Sequence, residues 1–170
     1  MTLSVERLLT PAKKDAWKAA FSLHSIPRPG SYFEQCLAEN VSGTRVTLLA
    51  CEDEVILGVA HLKYRSEYPY FGERGIPEIN DLLVFAAYRR RGIANLLIGE
   101  LERTAGERHE EMGIGVGLYK DYGSAQRIYC RRGYIPDGQG IMYENRPVAP
   151  GEQVRVDDEL VLYLTKKLRS

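Results

Sequence analysis

Three arginines, Arg89, Arg90 and Arg91, lead straight into Gly92, Ile93 and Ala94. Before them runs the apolar stretch DLLVF (81–85), and after them ANLLIGEL (94–101). A strand that ends in a tight turn and opens a helix can hold an anion. The first backbone N–H groups of a helix have no acceptor within it. The helix dipole adds partial positive charge at the same end, and phosphate is the usual guest. Gly92 lets a ligand approach the backbone, and the small Ala94 does so at the next position. Arginine at a helix start opposes the dipole, so three in succession favour a bound anion that offsets them. The competing reading is a solvated basic helix start.

Other chemistry is excluded by spacing. The turn lacks the GxxxxGK[ST] phosphate loop, and its single glycine rules out GxGxxG. A GxGxG does occur at Gly113, Gly115 and Gly117, but within GIGVGLY, which reads as a strand. Glycines there predict a strand kept slim so that something packs beside it. The three histidines, His24, His61 and His109, lie far apart, and the three cysteines, Cys36, Cys51 and Cys130, form no CxxC pair. Neither set has metal-ligand spacing, so no metal is expected. The scattered thiols suit a reducing, cytoplasmic setting.

The elements that must position the turn follow from pattern. VERLL (5–9) reads as a short strand. Thr10 and Pro11 mark a helix start over TPAKKDAWKAAFSLHS, and SYFEQCLAENVSG predicts a second helix capped by Ser31 and ended by Gly43. Two β-branched strands, TRVTLLACED and VILGVAHLKYR, meet at an acidic turn, Glu52-Asp53-Glu54. SEYPYFGERGIP reads as a loop. EINDLLVF is a strand, residues 91–112 a helix, GIGVGLY a strand and YGSAQRIYCRRG a helix ending at Gly133. YIPDGQGIMYE and ELVLYLTKKL are late strands with a loop between them. The expectation is one α/β (α+β) domain over residues 1–170, with a mixed central sheet of about six or seven strands and about four helices. The unit DLLVF–ANLLIGEL–GIGVGLY is the one parallel crossover expected, and it should be right-handed.

Composition bounds the partners. Of 170 residues, 44% are hydrophobic, so a core is expected. Lys plus Arg and Asp plus Glu are both 23, giving zero net charge. A nucleic-acid binder would carry a basic excess, so any anion site here is local. No run of about 18 apolar residues suggests a membrane span, and the N-terminus lacks the pattern of a signal peptide.

Two motifs in order resemble the GNAT acetyltransferase superfamily. In LLVFAAYRRRGIANLL, Arg89, Gly92 and Ala94 fall on its Arg/Gln-x-x-Gly-x-Gly/Ala motif. In YGSAQRIYCRRGY, Ala125, Tyr129, Gly133 and Tyr134 match its second motif. The resemblance covers about residues 46–134. It implies an acetyl-CoA-dependent N-acetyltransferase acting on a primary amine of a small molecule or peptide, by direct attack in a ternary complex. It puts the cofactor pyrophosphate on the amides of Arg89, Arg90, Arg91, Gly92, Ile93 and Ala94. The pantetheine is expected to run between the strand ending at Val84 and Phe85 and the strand Ile114–Leu118, with the thioester carbonyl polarised by an N–H near Val84. Ala125 is expected beside the cofactor. Tyr122 stands where relatives often carry an asparagine, and it could stack or hydrogen-bond in its place.

The resemblance also assigns roles. Tyr129 takes the general-acid position, donating to the departing thiolate. Relatives often place a basic glutamate two or four residues before the strand's valine, but here the position four before Val84 is Asn80. Glu78, on the face shared with Asn80 and Val84 by two-residue alternation, is the candidate base; the amine could instead arrive deprotonated. Tyr64, Tyr68, Tyr70 and Phe71 could wall an acceptor cleft or simply pack over the sheet. A homodimer is possible, no membrane partner is expected, and a non-catalytic acyl-CoA sensor on the same fold is the alternative function.

Overall fold

A computed structural model describes residues 2–168. In chain order the elements are β1 (Leu3–Arg7), α1 (Pro11–Leu23), α2 (Gly30–Ser42), β2 (Arg45–Glu52), β3 (Val55–Lys63) and α3 (Pro69–Arg74). They continue with β4 (Glu78–Val84), α4 (Ile93–Gly106), β5 (Glu111–Gly117), α5 (Gly123–Arg131), β6 (Ile135–Tyr143), β7 (Arg146–Pro147) and β8 (Leu160–Lys167). The strands form one mixed sheet in the order β1-β2-β3-β4-β5-β8-β6-β7. β4 and β5 pair parallel across the α4 crossover. The pairs β1–β2, β2–β3, β5–β8, β6–β8 and β6–β7 are antiparallel.

The mixed α/β class is as expected, with one strand and one helix more. The extra strand is the two-residue β7, inside the expected late loop. The extra helix is α3, inside SEYPYFGERGIP. Pro69 fixes φ at its first turn and Gly75 ends it at φ 64°, so Pro and Gly here punctuate a helix instead of a loop. α4 stops at Gly106, and Glu111 and Met112 pair with Lys167 and Lys166 on β8. α2 starts at Gly30 after Pro29, with no side-chain cap, so Ser31 lies inside the helix. Thr10 does cap α1, accepting from the Lys13 N–H at 3.2 Å.

The chain separates into two compact units, divided within β4. One comprises the chain up to Lys63 together with Asn80–Thr104; the other comprises Tyr64–Ile79 and the chain from Ala105 on. In the first, Trp17, Phe21, Phe33, Leu49, Val59 and Phe85 form a buried cluster. α4 adds Ile93, Leu97, Ile98 and Leu101, all buried. Burying each of these α4 side chains contributes about 1.5–3 kcal/mol, which fixes the helix start next to the arginine turn.

The second unit is built around the glycines of β5. A methyl group on Gly113 would come within 2.2 Å of the Phe71 ring, and one on Gly117 within 2.3 Å of the Tyr122 ring. On Gly115 it would come within 2.8 Å of Tyr163. The GxGxG stretch is therefore a slim strand face that receives three aromatic rings. Phe71, Tyr68 and Tyr163 then cluster with Met142 and Ile76. Tyr68 stacks on Tyr163 with centroids 3.8 Å apart and planes 9° apart. Its hydroxyl donates to Asp137 at 2.7 Å. Arg74 sits 3.7 Å over the Tyr70 ring, and Tyr64 stacks near His109 at 5.6 Å. The aromatic residues of this segment thus pack within their own unit.

Candidate active site

The arginine turn is shaped by its backbone. β4 ends at Val84 and a short 3-10 turn covers Ala86–Tyr88. Arg89 is extended, at φ −68° and ψ 161°. Arg90 is left-handed at φ 64°, Arg91 is not, and Gly92 is left-handed again at φ 76°. Alternation of handedness turns successive backbone N–H groups toward one side, the concave arrangement that binds anions. α4 then begins at Ile93, its first turn closed by the Leu96 N–H donating to the Gly92 carbonyl at 3.0 Å. The amides of Ile93 and Ala94 fall in the first turn, where a helix offers no internal acceptor. Nothing lies within 4 Å of the space beyond the Gly92 α-carbon.

The arginine side chains divide the work. Arg89 turns back, its Nε donating to the Val84 carbonyl at 3.2 Å, which ties the turn to the end of β4. Arg91 pairs with Glu52 at 2.5 Å. The locally excessive positive charge is thus partly offset within the protein, and the groups the turn leaves open are its backbone N–H groups.

Phe85, expected beside the cofactor, is held within the protein. Its ring is 1% exposed, lies edge-on to Phe21 at 5.8 Å and stacks on His24 at 4.0 Å. Its N–H donates to the Leu57 carbonyl at 3.1 Å. The Phe85 ring thus packs in the core and its amide is spent on β3. The side chain of Ile93 is likewise buried, leaving its amide as the group a ligand could meet.

The alternation argument for Glu78 also changes. Asp81, inside β4, has φ 51°. A left-handed residue within a strand breaks the two-residue period, so Glu78 and Val84 do not share a face by parity. β4 pairs with β5 only through Glu78–Gly113 and Ile79–Ile114 among the described residues. Glu78 is buried and accepts from the Ser66 hydroxyl at 2.5 Å.

Tyr129 lies on α5 in the second unit and is 6% exposed. Burial pushes its phenol up to about 12. It is therefore fully protonated near neutral pH and holds a proton to give. α5 ends as its sequence suggests, with Gly133 at φ 94° and the Tyr134 N–H closing on the Tyr129 carbonyl at 3.0 Å. At the start of α5, Tyr122 fills the notch at Gly117 and donates to Asp158 at 2.8 Å. Gln126 donates to the Gly117 carbonyl at 2.9 Å. Tyr122 thus fixes α5 to β5. Ala125 is half-buried on the same helix.

The early helices carry a hollow of about 400 Å³, lined among others by Lys18, Phe21, Arg28 and Phe33. Among the described residues no group of three or more His, Cys, Asp or Glu could hold a metal ion. No described helix is long and apolar enough to cross a membrane.

Over residues 8–134 the sequence matches the acetyltransferase (GNAT) family. The chain belongs to that family. The match takes in both the arginine turn and the Tyr129 helix. The GNAT fold is shared with solved structures of low sequence identity. A GNAT-family acetyltransferase from Desulfovibrio desulfuricans superposes with TM-score 0.71 at 11% identity, over 98% of this chain and 99% of that one. NAA60 of Arabidopsis thaliana, solved with acetyl-CoA, gives 0.69 at 16% identity, over 98% of each. An aminoglycoside 6'-N-acetyltransferase solved with coenzyme A gives 0.68 at 15%, over 100% and 98%. A comparison with curated proteins found no match.

Sequence reasoning overlooked one group of residues. Tyr32, His61 and Asp81 are joined by hydrogen bonds. They are spread over α2, β3 and β4, and no motif or spacing links them.

Proposed function

We propose that this GNAT-family protein is an acetyl-CoA-dependent N-acetyltransferase acting on a primary amine of a small molecule or peptide. The single observation that carries this reading is the alternating turn at Arg90–Gly92 opening α4 inside the family match. In this reading the whole chain acts as one catalytic domain, in a cytoplasmic setting that suits its three free cysteines.

The pyrophosphate of the cofactor rests on the amides from Arg89 to Ala94, with Arg90 free to add charge at its edge. An N–H near Val84 polarises the thioester carbonyl where negative charge develops in the transition state. The neutral amine attacks the carbonyl carbon, the C–N bond forms and the C–S bond breaks. Holding both reactants together supplies much of the rate. The thiolate takes the Tyr129 proton, and the nitrogen loses its own to Glu78, acting through water, or to solvent. Ala125 flanks the cofactor, while Tyr122 acts on it indirectly, by fixing α5.

The test has two stages. Titration calorimetry should show acetyl-CoA binding below millimolar concentration, and Gly92→Asp should weaken it by at least about tenfold, by placing charge and bulk against the pyrophosphate. Release of free CoA thiol should then be found on a panel of primary amines, with Tyr129→Phe lowering kcat far more than cofactor affinity. Absence of acetyl-CoA binding would refute the reading. Binding without turnover on any amine would make the protein a non-catalytic acyl-CoA sensor.

A further inference from the structure

Five side chains of the unit that carries the arginine turn form one line of hydrogen bonds, and every donor in it is fixed. Asn40 Nδ2 donates to Thr47 Oγ1 at 2.8 Å, while Asn40 Oδ1 accepts from the Thr47 N–H at 2.7 Å. Thr47 Oγ1 lies 2.8 Å from His61 Nδ1. His61 Nε2 lies 3.3 Å from Tyr32 Oη, and Tyr32 Oη donates to Asp81 Oδ2 at 2.5 Å. An ionised carboxylate only accepts, so the Tyr32 proton must point at Asp81. Tyr32 can then only accept from His61, which puts the imidazole proton on Nε2. His61 Nδ1 is therefore an acceptor, and the Thr47 hydroxyl donates to it. Thr47 in turn accepts from Asn40. All the protons point one way, toward Asp81.

The line is enclosed from Asn40 to His61, and Tyr32 is half-buried. Asn40, Thr47 and His61 are 2%, 0% and 1% exposed. Trp17 walls it, with its ring 5.6 Å from His61 and 5.7 Å from Tyr32. Burial, with help from Arg45, pushes His61 down to about 3, so the ring stays neutral and the direction of donation stands. The Asp81 side chain is 39% exposed. Its backbone holds φ 51° within a strand, a left-handed conformation that aspartate tolerates better than most residues. Its two oxygens are used unequally. Oδ2 is taken by Tyr32. Oδ1 has Arg28 at 3.8 Å, too far for a hydrogen bond, and Arg28 spends its other terminal nitrogen on its own neighbour, the Pro27 carbonyl, at 2.9 Å.

We propose that Asp81 is an acceptor-binding residue: its Oδ1 captures a protonated amine of the acceptor, while Tyr32, backed by His61, Thr47 and Asn40, is the positioning residue that aims the carboxylate. This rests on the acetyltransferase reading and narrows it to acceptors that arrive as alkylammonium cations, each giving one proton to solvent before its neutral nitrogen attacks. An ammonium presents three donors and no acceptor, which matches a carboxylate oxygen whose one partner, Arg28, is an ion-pair contact without a hydrogen bond. A chain of donors converging on Asp81 holds the charge and orientation of the carboxylate before any ligand is present. Arg28, which also lies 5.9 Å over the Tyr32 ring, would give up its 3.8 Å contact to the incoming ammonium. Glu78 is unsuited to this capture, because it is buried and already accepts from Ser66.

The test uses the whole protein in solution. Nitrogen-detected NMR of His61 should show a neutral ring protonated at Nε2. Titration with n-butylamine, and with a short peptide bearing a free N-terminus, should shift the Tyr32 and His61 ring signals saturably. The isosteric n-butanol and the N-acetylated peptide should not. Asp81→Asn keeps an acceptor for Tyr32 and a residue that tolerates left-handed backbone, so it should fold. It should weaken amine binding about tenfold or more and leave acetyl-CoA affinity unchanged. Tyr32→Phe should weaken amine binding by a smaller factor and raise the amine KM more than it lowers kcat. Failure of both amines to give a saturable shift, or amine binding by Asp81→Asn equal to that of the wild type, overturns the proposal. Acetyl-CoA calorimetry on the same samples separates the outcomes. Intact cofactor binding without amine capture sinks this inference alone, whereas loss of cofactor binding sinks the function it rests on.

Discussion

Gly113→Ala is expected to destabilise the protein, against the usual benefit of replacing glycine in a strand. The added methyl would overlap the edge of the Phe71 ring, with three ring atoms inside contact distance. Phe71 is fully buried and cannot move aside, because Tyr68 lies edge-on at 4.8 Å and Tyr163 at 5.3 Å. Overpacking of this kind costs about 1–3 kcal/mol. The gain from stiffening the unfolded chain offsets about 0.4–1 kcal/mol. Because the ring is hemmed in on two sides, the upper part of the range applies, and a net loss of about 2 kcal/mol is expected. With a urea slope of about 2 kcal/mol per molar, the unfolding midpoint should fall by about 1 M. Gly106→Ala is the control. It lies at the end of α4 with nothing within 4 Å of the new methyl, and its midpoint should rise. Phe71→Leu removes ring atoms from the contested space, so combined with Gly113→Ala it should cost less than the sum of the two. A Gly113→Ala midpoint at or above the wild type, or strict additivity with Phe71→Leu, would refute the account of β5 as a strand shaped for aromatic rings.

Three further outcomes follow from the same structure. His61 is held neutral down to about pH 3 against an ordinary value of 6.5, so between those limits the unfolded chain binds a proton that the folded one refuses. Its contribution is complete above pH 6.5 and is lost as pH falls, by up to about 1.4 kcal/mol per pH unit; His61→Gln should flatten that slope in acid-unfolding curves. Arg91→Ala breaks an exposed ion pair with Glu52 and should change stability by less than about 1 kcal/mol, with a smaller effect on acetyl-CoA affinity in calorimetry than Gly92→Asp. Thr10→Ala removes the cap of α1 and should lower the unfolding free energy by about 1 kcal/mol, measured by urea denaturation.

What the sequence made legible was local, and what it hid was tertiary. Thr10 with Pro11 announced α1, Gly43 and Gly133 announced helix ends, and the DLLVF-to-GIGVGLY crossover announced the parallel pair, because each is set by neighbours in the chain. The slimness of β5 was also readable, since three glycines at a spacing of two leave one face bare. Which rings filled that face was not, because Phe71, Tyr122 and Tyr163 arrive from three different elements. The same limit bears on the face assigned to Glu78. Counting by twos from Val84 led to Glu78, and the count held only while the strand stayed regular. One left-handed residue at Asp81 broke it. Aspartate tolerates that conformation better than most residues, but nothing in EINDLLVF marks one of its eight positions as the break. The break leaves Asp81 reaching Tyr32, 49 positions earlier in the chain, with His61 behind it. A carboxylate that looked like the off-face member of a strand thus becomes the end of a buried polar line. Asp81→Asn should accordingly perturb the amine side of the reaction and leave the Arg89–Ala94 turn as it is.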